Sequence, residues 1–339
     1  MTAMTRTLGR DGQLVSALGM GCWAIGGPWQ RNGSQAGWGS VDDDESVRAV
    51  HAAVDAGITF FDTAANYGAG HSERVLGKAL EGRRDQVAVA TKFGYRIDED
   101  AREVGDPDPD PAVGVAMVRA SCEASLRRLR TDRIDLFQLH VGDLSVDRAL
   151  MVREALDGLV ADGLIAAYGW SIGDGRVEEA RRFAEGAQAC ATLQHTLNAF
   201  QDAPEMLALC EEQGLASVNR SPLGMGMLTG KYQQGASFPR DDLRSRDIEW
   251  MPYFTDGQPD PQWSARLEAI REVLTSGGRT LTQGALSWIW ARSPATLPIP
   301  GVRTVAQAQE NAGAMAFGPL TADEIAEVGR LLTGAQADR

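Results

Sequence analysis

Residues 134–170 read IDLFQLHVGDLSVDRALMVREALDGLVADGLIAAYGW, and three segments separate within them. Ile134–Leu139 is an apolar run of strand length, Val146–Ala161 carries apolar residues at helical spacing, and 165–170 is a second apolar run. A buried run without polar alternation fits a parallel strand, and two parallel neighbours need a crossover between them, usually a helix. The theme recurs on both sides. Apolar runs at 18–21, 58–61, 87–90, 134–139, 165–170, 191–194, 216–219 and 296–299 make eight candidate strands. Helical patterns at 44–56, 72–80, 115–129, 146–161, 176–185, 204–213, 281–290 and 305–314 follow them in turn, with Ser72 and Asp174 as candidate N-caps.

Eight such units in series close into a (β/α)8 barrel. Before the first unit, Arg6-Thr7-Leu8 and Gln13-Leu14-Val15 flank an Asp11-Gly12 turn dipeptide, an N-terminal β-hairpin signal. Two segments lie outside the count. Residues 237–276 form a long insertion after the seventh strand, ending in a helical pattern at 262–274, and a C-terminal helix is expected at 321–332. The insertion is a candidate active-site loop, and 95–109 is a second stretch expected to shape a pocket. The Pro-Asp tracts at 106–111 and 256–261 read as surface turns, and no repeat or linker marks a second domain.

The chain has 339 residues, 43% of them hydrophobic and 23% charged, a balance that supports a sizeable core. With 33 Lys and Arg against 46 Asp and Glu, the net charge is −13, and no basic stripe suits a nucleic-acid backbone. No apolar run has the length of a membrane span or of a signal peptide, so a cytoplasmic protein without nucleic-acid or membrane partners is expected. Cys22, Cys122, Cys190 and Cys210 show no paired spacing, and His51, His71, His140 and His195 show none of the spacings of metal sites, so reduced thiols and no metal are expected.

Three motifs fail on context. Gly19-Met-Gly21-Cys-Trp-Ala24, with Asp42–Asp44 downstream, matches a dinucleotide fingerprint, but Gly26-Gly27-Pro28 stands where the fingerprint's helix should run. Gly169-Trp-Ser171-Ile-Gly173 matches a nucleophile elbow, yet His195 is the one later histidine and the acids before it read as cap and surface positions. Gly230-Lys231 resembles the end of a phosphate loop whose first Gly is replaced by Met225.

A different constellation survives. Phe60-Phe-Asp62-Thr-Ala-Ala-Asn66-Tyr67-Gly68, Thr91-Lys92-Phe93-Gly94 and Leu136-Phe-Gln-Leu-His140 stand at the C-terminal ends of the second, third and fourth strands, where a barrel gathers its catalytic groups. An ammonium at Lys92 against the Tyr67 oxygen favours the phenolate and is expected to lower its pKa. Asp62 supplies the counter-charge a buried Lys92 needs, and His140 can donate a hydrogen bond to a substrate oxygen. Together they make a proton donor for a carbonyl. Trp23, Trp38, Asn66, Phe93 and Trp170, at or just beyond strand ends, are candidate pocket walls or packing residues.

From Leu18-Gly-Met-Gly-Cys-Trp23 through Gly301 and Asn311 the chain resembles the aldo-keto reductases, most specifically in Phe61-Asp-Thr-Ala64 through Tyr67-Gly68 to Ser72-Glu73, and in Ser221-Pro-Leu-Gly224 through Leu228-Thr-Gly-Lys231. The resemblance implies one (β/α)8 barrel domain over residues 1–339 and NAD(P)H-dependent reduction of an aldehyde or ketone, with sugar-like carbonyls among the candidates. Tyr67 would be the proton donor, Lys92 and Asp62 would tune it, and His140 would orient the carbonyl. The implied cofactor is NADP(H), favoured over NAD(H). Its nicotinamide would meet Ser171 and Gln194, its pyrophosphate Ser221, Leu223, Gly224 and Gly226, and its adenosine end Gly301, Arg303, Gln307, Glu310 and Asn311, with Arg303 on a 2′-phosphate.

Two positions depart from many family members. Ile172 replaces an Asn, and Arg220 replaces an aromatic ring, either as a stacking guanidinium or as a structural ion pair. The family also contains cofactor-binding regulatory subunits that act through a protein partner. Substrate, reaction direction and oligomeric state are not legible from these residues.

Overall fold

A computed structural model describes residues 4–108, 110–232 and 235–337; Pro109, within the tract at 106–111, lies outside them. Eight parallel strands form one sheet in chain order: β1 (Gly19–Gly21), β2 (Phe60–Asp62), β3 (Ala88–Phe93), β4 (Ile134–Leu139), β5 (Ile165–Ser171), β6 (Cys190–Thr196), β7 (Ala216–Arg220) and β8 (Thr296–Pro298). The sheet curls until its edges meet at a bridge between Gly21 and Gly301, where the Gly21 N–H donates to the Pro300 carbonyl at 2.9 Å. A side chain at Gly21 would place its Cβ 2.6 Å from the Ile299 oxygen, so the seam closes only because the residue is glycine.

The crossover helices are α1 (Asp43–Asp55), α2 (His71–Ala79), α3 (Pro111–Leu129), α4 (Val146–Ala161), α5 (Val177–Ala184) and α6 (Pro204–Gln213). The insertion contributes α7 (Pro261–Thr275), and α8 (Leu281–Arg292), α9 (Val305–Gly313) and α10 (Ala322–Ala337) complete the chain. Two caps differ from expectation. Gly70, at φ 88°, is the N-cap of α2, which frees the buried Ser72 hydroxyl to donate to the Cys22 carbonyl at 2.7 Å and to meet the Thr63 hydroxyl at 2.8 Å. Arg176 precedes α5, and Asp174 instead accepts from Gln201 and Arg220.

Side chains alternate across each strand, and the two faces have different composition. Phe61, Val89, Phe137, Tyr168, Trp170 and Leu193 point outward into the layer beneath the helices. Inward, Phe60, Ala88, Ala90, Leu136, Val218 and Leu297 fill the lower barrel, where Leu8 and Val15 of the N-terminal hairpin close its floor. The same inward rows turn polar toward the C-terminal ends: Phe60 leads to Asp62, Ala90 to Lys92, Leu136 to Gln138 and His140, Gly169 to Ser171, Val218 to Arg220.

Loops build the rim above. The loop after β1 forms a two-stranded ladder at 30–35 that is extended by strands at 96–98 and 103–105 from the loop after β3. The insertion crosses to meet it, with Trp38 bridging Asp242 and the Arg246 guanidinium donating to the Gln35 carbonyl.

Candidate active site

Register places the polar row. Gln138 pairs with Lys92, Asp62 with Ala90, and Ser171 with Gln194, so the ends of neighbouring strands present their side chains at one level. Lys92 is fully buried. Its Nζ donates to Asp62 Oδ1 at 2.5 Å, to the Thr63 carbonyl at 2.8 Å and to the Tyr67 hydroxyl at 3.1 Å, so three oxygens surround the ammonium. Asp62 Oδ2 accepts from Gln138 at 3.1 Å and Gln194 at 2.9 Å. The His140 ring stands edge-on to Tyr67, centroids 5.8 Å apart, with its buried Nδ1 lacking a hydrogen-bond partner among the described residues.

Burial acts on each group in a different sense. It pulls the Lys92 ammonium down, but the Asp62 carboxylate and the Tyr67 oxygen outweigh it and hold the pKa above the ordinary lysine value. Burial pushes the Tyr67 phenol up, and the opposing pull of Lys92 and Arg220 does not cancel it. This corrects the sign expected from Lys92 alone: Tyr67 stays protonated through the neutral range. Burial, followed by the charges of Lys92, Arg220 and Arg31, holds His140 well below the usual imidazole value, so it is neutral and donates through one nitrogen only.

A cavity of about 960 Å³ opens above this row and runs across the barrel mouth. Asp62, Asn66, Tyr67 and His140 line its floor, and Trp23 and Trp38 line its walls, Trp23 stacked on Tyr67 at 5.7 Å. Phe93 and Trp170 do not reach it. Strand alternation turns Lys92 and Ser171 inward and their neighbours outward, so Phe93 stacks on Phe137 at 4.4 Å and Trp170 packs on Phe183 while donating to the Val141 carbonyl. Tyr95, from the stretch at 95–109, and Trp250 and Tyr253, from the insertion, line the cavity as those segments were expected to, while Trp29 and Arg31 also line it and had no signal in the sequence. They lie on the rim loops, where no periodicity points to the interior.

The residues assigned to the cofactor fall along the same cavity. Gln194, Arg220, Ser221, Leu223, Gly226, Gly301, Arg303, Gln307, Glu310 and Asn311 line it, whereas Ser171 and Gly224 stand just behind. Ser171 donates to Gln194 Oε1 at 3.4 Å, while His195 bonds the buried Ser217, so Ser171 has no histidine beside it to act as the base of an acyl transfer. Ser221, Gly224, Met225 and Gly226 all have positive φ, which folds residues 221–226 into a tight cradle; a Cβ at Gly226 would lie 2.9 Å from the Tyr232 ring. Arg220, Lys231, Arg244, Arg246 and Arg303 bring positive charge to this wall of a protein whose net charge is −13. A glycine-bearing cradle in a cavity lined by these cations could hold the phosphates of a dinucleotide, although Arg220 and Arg244 are already paired with Asp174 and Asp242.

Arg220 makes the ion pair, and it also reaches the cavity. It pairs with Asp174 at 2.9 Å and donates to the carbonyls of Ile172 and Gln194, yet one face stays on the cavity. Arg303 donates to the Trp38 and Ser40 carbonyls, which leaves part of its fork free. Lys231 also lines the cavity. Among the described residues no cluster of His, Cys, Asp and Glu could hold a metal, and no helix is long and apolar enough to cross a membrane.

A sequence model of the Aldo/keto reductase family matches residues 17–333. The pyridoxal reductase of Arabidopsis thaliana chloroplasts is 32% identical over 331 residues, covering 91% of this chain and 81% of that protein. The glycerol dehydrogenase of Gluconobacter oxydans superposes with a TM-score of 0.79 at 31% identity, covering 99% of this chain and 97% of that one. An aldo-keto reductase of Klebsiella pneumoniae solved with NADPH superposes with a TM-score of 0.68 at 26% identity, covering 98% and 96%.

Proposed function

Since the chain belongs to the aldo/keto reductase family and is an NAD(P)H-dependent oxidoreductase, we propose that it reduces a small aldehyde or ketone to the alcohol with Tyr67 as proton donor and NADP(H) as the favoured cofactor. The observation that carries the reading is the Lys92 ammonium, 3.1 Å from the Tyr67 hydroxyl while bonded to buried Asp62 on the cavity floor. When bound, the reduced nicotinamide supplies the hydride to the carbonyl carbon. Tyr67 and neutral His140 hold the carbonyl oxygen between two donors, and Tyr67 releases its proton as negative charge builds on that oxygen. Lys92 steadies the phenol oxygen as the proton leaves, and Asp62 keeps Lys92 in place.

Arg303 with Gln307, Glu310 and Asn311 would hold the adenosine end, and the free part of the Arg303 fork suits a 2′-phosphate. Trp23, Trp38 and Trp250 offer flat apolar faces, and the indole N–H groups of Trp23 and Trp38 have no partner among the described residues. That combination supports a substrate with acceptor oxygens around a compact carbon frame, as in a hydroxylated or sugar-like carbonyl compound.

The test is a fluorescence titration with NADPH and NADH, followed by turnover of Tyr67→Phe. The variant should bind cofactor like the wild type and lose turnover by orders of magnitude, and Arg303→Ala should weaken NADPH more than NADH. Absence of cofactor binding, or wild-type turnover in Tyr67→Phe, overturns the reading. Tight binding with no turnover of any carbonyl would move the protein to the regulatory class instead.

A further inference from the structure

Gln138 is a polar side chain at a fully buried position on the inward row of β4, two residues before His140 and in register with Lys92. It is not part of the cavity lining, so it meets neither substrate nor cofactor. A leucine could occupy the barrel there without the cost of burying an amide, so the amide must be satisfied by what surrounds it. Its Nε2 donates to Asp62 Oδ2 at 3.1 Å, and its Oε1 lies 3.4 Å from Gln194 Nε2.

A carboxylate turns easily about its last bond, because that torsion has broad wells. Lys92 alone, on Oδ1, would leave the Asp62 plane free to swing and take the ammonium off the Tyr67 hydroxyl. The second oxygen is held by two amides, and they differ in position. Gln194 faces the cavity and is also engaged by Ser171, whereas Gln138 lies beneath the floor and holds Asp62 whatever occupies the cavity above.

We propose that Gln138 is a positioning residue that fixes the Asp62 carboxylate so that Lys92 stays on the Tyr67 oxygen. This rests on the reading of Tyr67 as proton donor. The groups that face it are Asp62 and Gln194, with the Lys92 ammonium on the other oxygen of the same carboxylate.

The experiment compares wild type, Gln138→Leu, Gln138→Glu and Tyr67→Phe in carbonyl reduction across pH 5–9, with NADPH affinity read by fluorescence. Gln138→Leu should lower kcat roughly ten- to a hundredfold, the range of one hydrogen bond to a charged group, with KM and NADPH affinity within about twofold of wild type. Gln138→Glu supplies the separating readout. A protonated glutamic acid can donate to Asp62 as the amide does, so kcat should approach wild type at the acid end, and a second carboxylate beside Asp62 should depress it as pH rises. Wild-type kcat in Gln138→Leu alongside an inactive Tyr67→Phe overturns this proposal and leaves the reductase reading intact; an active Tyr67→Phe overturns that reading. Equal, pH-independent losses in both Gln138 variants with weakened NADPH binding would show packing alone and also overturn it. Should Gln138→Leu fail to fold, the pH profile of Gln138→Glu decides.

Discussion

Lys92→Met separates what the buried ion pair does for stability from what it does for chemistry. The substitution keeps an unbranched side chain of similar length but removes three donors from three oxygens, those of Asp62, Thr63 and Tyr67. Asp62, 1% exposed, would be left charged with only the two glutamine amides on one oxygen. Breaking a buried pair by deleting one partner costs about 3–5 kcal/mol. Unfolding entropy of about 2.1 cal/mol/K per residue over 339 residues gives about 0.7 kcal/mol/K, so the melting temperature should fall by about 4–7 °C. Turnover should fall by at least a hundredfold, since the phenol loses a charged donor. The double variant Lys92→Met/Asp62→Leu removes the orphaned charge and should recover most of the lost stability while staying inactive, because apolar replacements for a buried pair are often neutral or better. Thermal melts and initial rates on the three proteins read both quantities. A single variant that melts with the wild type, or a double variant no more stable than the single one, would refute the view that Asp62 and Lys92 are a charged pair kept for function.

Two further predictions follow from the geometry. Gly68, at φ +65°, would place a Cβ 1.9 Å from the Gly26 carbonyl oxygen, whereas Gly57, at φ +88°, has open space around it. Gly68→Ala should therefore lose more than about 3 kcal/mol in denaturant unfolding and displace Tyr67, against about 1 kcal/mol for Gly57→Ala; equal losses would contradict the packing. Burial holds His140 well below 6.5 and His195 down at about 4, so the unfolded chain binds protons there that the folded chain refuses. Stability should be complete above about pH 6.5 and fall as pH drops from there toward 4, with about 3 kcal/mol from His195 alone. Glu324, held at about 2, adds its own loss only below about 4.5, so unfolding free energies that stay level between pH 6.5 and 5 would exclude both histidines.

The eight strands were legible because a parallel barrel buries both faces of each strand and leaves a largely apolar run, as at 87–90, between polar helices. Asp62, Tyr67, Lys92 and His140 were legible because strand ends converge on one side of such a barrel. Phe93 and Trp170 were misplaced because position along a strand says how high a residue sits, while the parity of its neighbours says which way it faces. Lys92 inward forces Phe93 outward. That same parity, with Gln138 two residues from His140, was the available signal for the polar residue under the site. The sign of the Tyr67 shift depends on how deeply the phenol is buried, which no local pattern states. The rim joins two short hairpins, 30–35 and 96–105, through a two-residue ladder some 70 residues apart in sequence, Gln30 with Glu103, and ladders of two or three residues carry no periodicity to detect.

The Gly21–Gly301 seam has a bearing on how the protein is born. The first and last barrel strands touch where the cavity has its rim, and the links that hold that closure, Arg6 to the Thr296 carbonyl and Trp290 to the Ala17 carbonyl, also join residues more than 270 positions apart. A ribosome must deliver nearly the whole chain before the circle can be completed, and contacts so distant in sequence form slowly. The closed barrel mouth therefore needs residues from both ends of the chain. The oxidoreductase acquires its cavity and its topology in the same late event.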